Sequence, residues 1–114
     1  MKKPDAVYLE HLLAAIARCE RYAQGLTYEQ FAGDDLRQDG IIRQLESIGE
    51  AARQVSPDLQ ALHSEVPWSD LVGIRNKLIH AYFEVNLAIV WDTVRFDLPM
   101  LKAQVERILA LSTR

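Results

Sequence analysis

Within eight residues, Arg75-Asn76-Lys77-Leu78-Ile79-His80-Ala81-Tyr82, the chain sets a guanidinium, an imidazole and a phenol beside Leu78 and Ile79, two apolar side chains that suit a core. Arginine stays cationic and has the planar fork that grips phosphate. Histidine is the side chain best placed to move protons near neutral pH. The two are sufficient in principle to cut RNA without a metal. The ribose 2′-hydroxyl is a built-in nucleophile, the imidazole takes or gives the proton, and the guanidinium stabilises charge growing on the phosphorus oxygens.

Spacing constrains how such a pair can meet. Positions five apart on an ideal helix differ by roughly 140°, so Arg75 and His80 do not share a face. Asn76 and His80, four apart, do. Three arrangements bring Arg75 and His80 together: the long Arg side chain wraps round the helix, the helix ends before His80, or the groups meet their counterparts across a two-fold axis. The last two combined are the expected arrangement. A plainer reading stands beside it. A histidine near a helix C-terminus suits the helix dipole, an arginine on a helix is usually solvated or ion-paired, and R-x4-H recurs by chance.

The motif has flanking blocks. It is preceded by V-P-W-S-D-L-V-G-I, with L-E-S-I-G-E-A upstream (Leu45 to Ala51) and V-N-L-A-I-V-W-D downstream (Val85 to Asp92). This ordered set, spanning nearly the whole chain, resembles the HepT-like branch of the HEPN superfamily. The resemblance implies a small all-helical toxin that dimerises, paired with a minimal nucleotidyltransferase antitoxin in a type VII-like toxin–antitoxin system. It further implies RNA cleavage by Arg75 and His80, with Asn76 as polar companion, and silencing by AMP added to Tyr82. An AMP there would place a phosphodiester anion beside Arg75 and His80, blocking an RNA phosphate by bulk and by charge. Glu46 and Glu50 lie four apart on one helix face. The resemblance puts Glu50 near the Arg75 helix, where a carboxylate could orient the guanidinium; an ordinary exposed acidic face is the alternative.

The elements that must hold these groups are helical. After Pro4, Asp5 can cap a first helix carrying Leu9, Leu12, Leu13, Ile16 and Ala23, which Gly25 stops. Thr27-Tyr28-Glu29-Gln30 has the capping-box pattern and starts a short turn with Tyr28 and Phe31. A second long helix spans about 35–55, its buried side marked by Leu36, Ile41, Leu45, Ile48, Ala52 and Val55. Ser56-Pro57 breaks it and opens a short helix through His63. A third long helix runs from Trp68 to about His80, with Trp68, Leu71, Val72, Leu78 and Ile79 inward and Gly73 as a close-packing site. Asn86 caps the last helix, which Pro99 should kink. No period-two alternation is long enough for a strand. The expected fold is all-α, one domain over residues 1–114: an antiparallel up-down bundle of four long helices with short connecting helices.

Composition narrows the partners. The 114 residues are 49% hydrophobic and 25% charged, an ordinary globular balance. A formal net charge of −3 argues against sequence-blind coating of RNA, which needs a basic surface, but leaves room for a local basic cleft around Arg75 and Lys77. The lone Cys19 reads as a small buried hydrophobe and excludes an intrachain disulfide, pointing to the cytoplasm. No apolar run suggests a signal peptide or membrane span. His11 and His63 lack ligand spacing, so neither metal nor other cofactor is expected. No Gly-rich phosphate loop is present, and Trp68 and Trp91 fall at core spacing. The expected function is a metal-independent RNA endonuclease acting as a homodimer. The alternative is a non-catalytic helical adaptor that binds a nucleotidyltransferase partner or nucleotides.

Overall fold

A computed structural model describes residues 3–78 and 85–112 of the chain, and the described residues are helical, with no sheet among them. Helix α1 (Asp5–Ala23) and helix α3 (Asp35–Gln54) form the longest pairing. Leu9, Leu12, Ile16 and Cys19 of α1 and Ile41, Leu45 and Ile48 of α3 are all buried. They recur at three- and four-residue steps, which puts each set on one stripe. The pair is antiparallel: Cys19 Sγ approaches the Ile41 carbonyl, while the Asp5 carboxylate accepts from Ser56 N–H (2.9 Å) and Oγ–H (2.6 Å) just beyond the other end of α3. Asp5 therefore does not cap α1; Pro4 occupies the cap position without a side-chain bond, and the Asp5 carboxylate closes the far end of the pair instead.

Between them, Gly25 takes a positive φ of 77°, which suits glycine because it has no Cβ to clash. The expected capping box at helix α2 (Tyr28–Ala32) is present, with Gln30 N–H donating to Thr27 Oγ1 and Thr27 N–H to Gln30 Oε1. Asp34 caps α3, and Ser56 caps helix α4 (Pro57–Leu62) with proline at its first position. Phe31 is buried with its ring 5.1 Å from that of Trp91, and Trp68 donates its indole N–H to the His63 carbonyl, so both tryptophans pack inward.

The third long helix appears instead as two short ones, α5 (Trp68–Val72) and α6 (Ile74–Leu78), separated at Gly73. Gly73 is the break, and the close-packing glycine is Gly49 on α3. A Cβ there would meet the Leu71 carbonyl oxygen at 2.8 Å and Ile74 Cγ2 at 2.9 Å. Two residues expected in the core are outside it. Leu36 is 80% exposed because it stands five positions from Ile41, about 140° off the buried stripe. Val72 is 40% exposed, the breakpoint at Gly73 leaving Leu71 and Ile74 as the inward pair.

Asn86 caps helix α7 (Leu87–Asp92), its side chain accepting from Ile89 N–H. A π-helical turn (Thr93–Asp97) then leads into helix α8 (Leu98–Ser112). The departure from α geometry thus lies one turn before Pro99 rather than at it. Proline has no N–H to donate, and its ring crowds the preceding turn; the wider π turn occupies that place, with Leu98 N–H reaching back to the Thr93 carbonyl. No helix among the described residues is long and apolar enough to cross a membrane.

Candidate active site

Helix α6 presents Arg75. Ile74 and Leu78, four apart, are buried and fix the inward face, which leaves Arg75, Asn76 and Lys77 exposed. Ion pairs tie the segment to both neighbours: Arg75 Nε lies 3.7 Å from Glu46 Oε2 on α3, and Lys77 Nζ 3.7 Å from Asp97 Oδ2 in the π turn. The absent side chain at Gly49 lets α5 and α6 sit directly on α3. That close approach brings Arg75 over Glu46.

The guanidinium opens onto a groove of about 380 Å³ lined by Arg43, Glu46, Ser47, Glu50, Arg53 and Val72. Glu50 pairs with Arg53 at 2.6 Å, and that guanidinium holds the Glu50 carboxyl below the usual range. Glu46, not Glu50, is therefore the carboxylate on Arg75. The Arg75 side chain is 72% exposed. An ion pair so open to water contributes at most about 1 kcal/mol. Arg75 meets Glu46 through a single contact at 3.7 Å, weaker than the two parallel bonds its fork can make to a phosphate. Among the described residues no three His, Cys, Asp or Glu side chains gather as a metal site.

The sequence model for the family "Ribonuclease HepT-like" matches residues 12–108. The chain belongs to that family, in the HEPN superfamily. It is 40% identical to a "Probable ribonuclease HepT" of Thermococcus cleftensis, over 95% of this chain and 98% of that one. It is 39% identical to a "Putative RNase" of Caldanaerobacter subterraneus subsp. tengcongensis, over 96% of each. No solved structure matches.

Of the residues that the HepT-like resemblance singles out, Arg75 and Glu50 line this groove, Asn76 is exposed on α6 but does not line it, and His80 and Tyr82 lie outside the described residues. The flanks of that segment stand side by side, Asn86 N–H donating to the Leu78 carbonyl at 3.0 Å. Sequence reasoning missed Arg43 and Arg53. The signal was there: Arg43, Glu46, Glu50 and Arg53 repeat at three and four residues, which lays them along one side of α3.

Proposed function

We propose that this HepT-like chain is a metal-independent RNA endonuclease that acts as a cytoplasmic homodimer. Arg75 and His80 form its catalytic pair, with Asn76 in support. The ribose 2′-oxygen bonds to phosphorus and the 5′-oxygen leaves. His80 moves the proton, and Arg75 stabilises the crowded phosphorane oxygens. The products are a cyclic phosphate and a free 5′-hydroxyl. The observation that carries this reading is the exposed Arg75 guanidinium, aimed over a groove lined by two further arginines and, among the described residues, tethered by a solvent-exposed carboxylate.

Toxicity and its control follow the same groups. A minimal nucleotidyltransferase antitoxin transfers AMP from ATP to the Tyr82 hydroxyl, releasing pyrophosphate. The added phosphodiester then competes for Arg75. The test uses the isolated chain and RNA in EDTA. Cleavage of RNA, but not of a strand with 2′-deoxyribose at the scissile position, supports the reading, as does its loss in His80→Ala. Cleavage that persists in His80→Ala overturns it. Mixing the chain with the partner, ATP and magnesium should add AMP mass to wild type and none to Tyr82→Phe. A chain that binds the partner yet never cuts RNA or arrests growth would instead be the adaptor, a role its net charge of −3 also suits.

A further inference from the structure

The Arg75 groove does not end at α6. It shares Ser47 and Glu50 with a cavity of about 360 Å³ between α1 and α3, lined by Tyr8, His11 and Arg18. At its other end it shares Arg43 with a cavity of about 430 Å³ lined by Tyr22, Leu36, Arg37 and Gly40. The α3 positions facing this path, Leu36, Gly40, Arg43, Ser47, Glu50 and Gln54, follow one another at three- and four-residue steps. They form a single stripe about 27 Å long. Along α1, Tyr8, His11, Arg18 and Tyr22 form a matching one.

The charge on this path opposes that of the chain. Arg18, Arg37, Arg43, Arg53 and Arg75 line it, against Glu46 and Glu50, in a protein whose formal net charge is −3. Both carboxylates are already matched, Glu46 to Arg75 and Glu50 to Arg53. The Arg18 and Arg43 guanidiniums form no ion pair with any described residue. Three rings flank these cations, Tyr8 and His11 at one end of the path and Tyr22 at the other. Tyr8 meets His11 edge-on at 6.2 Å, and the Tyr22 ring packs against Gly40, where a Cβ would stand only 3.2 Å from it. Arginine interleaved with aromatic rings is the chemistry of single-strand recognition: guanidinium to phosphate, ring to base.

We infer that the α1–α3 face is a binding track for single-stranded RNA, which runs past the scissile phosphate at Arg75 and is gripped by Arg18 and Arg43. The inference rests on the ribonuclease reading for the kind of polyanion bound, and extends it from chemistry to substrate capture. A second copy of the chain is the weaker occupant. A two-fold contact along the whole face would set its net positive charge, five arginines against two glutamates, on itself, whereas the two-fold of the proposed homodimer need engage only the motif end at Arg75.

Binding of fluorescent 2′-O-methyl oligouridylate, which lacks the nucleophilic hydroxyl, reads the track without cleavage. Arg18→Ala/Arg43→Ala should lower the slope of log affinity against log salt by about 1.4, and weaken binding about tenfold at 0.15 M salt. The Arg→Lys pair should keep most of the slope, and Tyr8→Ala should weaken binding with the slope unchanged. Unaltered binding in the Ala pair, at an unaltered melting temperature, overturns the track. So does loss of self-association in that pair without loss of RNA binding, which would make the face an interface between copies. Wild type that binds with this salt dependence but never cuts RNA leaves the track standing and removes the ribonuclease reading.

Discussion

Helices α1 and α3 are joined along their length by side chains fully withdrawn from water, whereas the short α6 is anchored by two buried side chains and presents charges at its rim. Leu12, Cys19, Ile41, Leu45 and Ile48 are each buried to within 1%. Helix α6 has only five residues; Ile74 and Leu78 anchor it, and Arg75 and Lys77 bridge outward across 3.7 Å each. Burial of that kind contributes about 1.5–3 kcal/mol per large side chain, and an exposed ion pair at most about 1. The first region carries stability. The second carries exposed charges on weak tethers, as the proposed exchange of Glu46 for an RNA phosphate requires. The contrast makes predictions of descending size.

Leu45→Ala should break the stable side of the contrast, lowering the unfolding free energy by about 2–5 kcal/mol in urea melts. The same side has a pH signature. Burial pushes the Cys19 thiol from 9.0 up to about 12. The folded state therefore keeps a proton that the unfolded state loses above pH 9. Stability is complete below that pH and declines toward about 12, by about 1.4 kcal/mol per pH unit. Cys19→Ala, compared with wild type across that range, should flatten the decline. Gly49→Val sharpens the boundary between the regions: its side chain would displace Leu71 and Ile74. A stability loss of about 1–3 kcal/mol is expected, together with a fall in RNA cleavage as Arg75 shifts from the groove. Glu46→Gln should be smallest in stability, within about 1 kcal/mol, while changing the cleavage rate through the altered orientation of Arg75.

The same contrast explains what could be read from the sequence. Three helix starts were legible because their chemistry is local: the Thr27–Gln30 box, Ser56 before Pro57 and Asn86 before Leu87 each place a donor and acceptor within four residues, whereas the Asp5 carboxylate finds its partner in the distant Ser56. The breaks were less so. A glycine within a helical pattern suits either a break or a close contact, and only the approach of α5 and α6 to α3 assigns the contact to Gly49 and the break to Gly73. Glu46 and Glu50 share a helix side, so which one meets Arg75 depends on the offset between α3 and α6, a distance no local pattern encodes. Leu36 looked like core because it is leucine, but its angle from Ile41 faces it onto the arginine-lined path. The Arg75 motif itself was legible as chemistry, whereas Arg18 and Arg43 come to the same side of the molecule only through the packing of α1 on α3, which no local pattern encodes.

The most direct test of the account is single-turnover cleavage of RNA in EDTA by wild type, Arg75→Ala and Arg75→Lys, with melting curves on each. Melting should be unchanged, since Arg75 is exposed and only weakly paired. Cleavage should fall roughly 100-fold or more in Arg75→Ala, the scale of removing one preorganised donor from a developing anion. Partial recovery is predicted in Arg75→Lys, where charge returns without the fork. Cleavage by Arg75→Ala at the wild-type rate would contradict it.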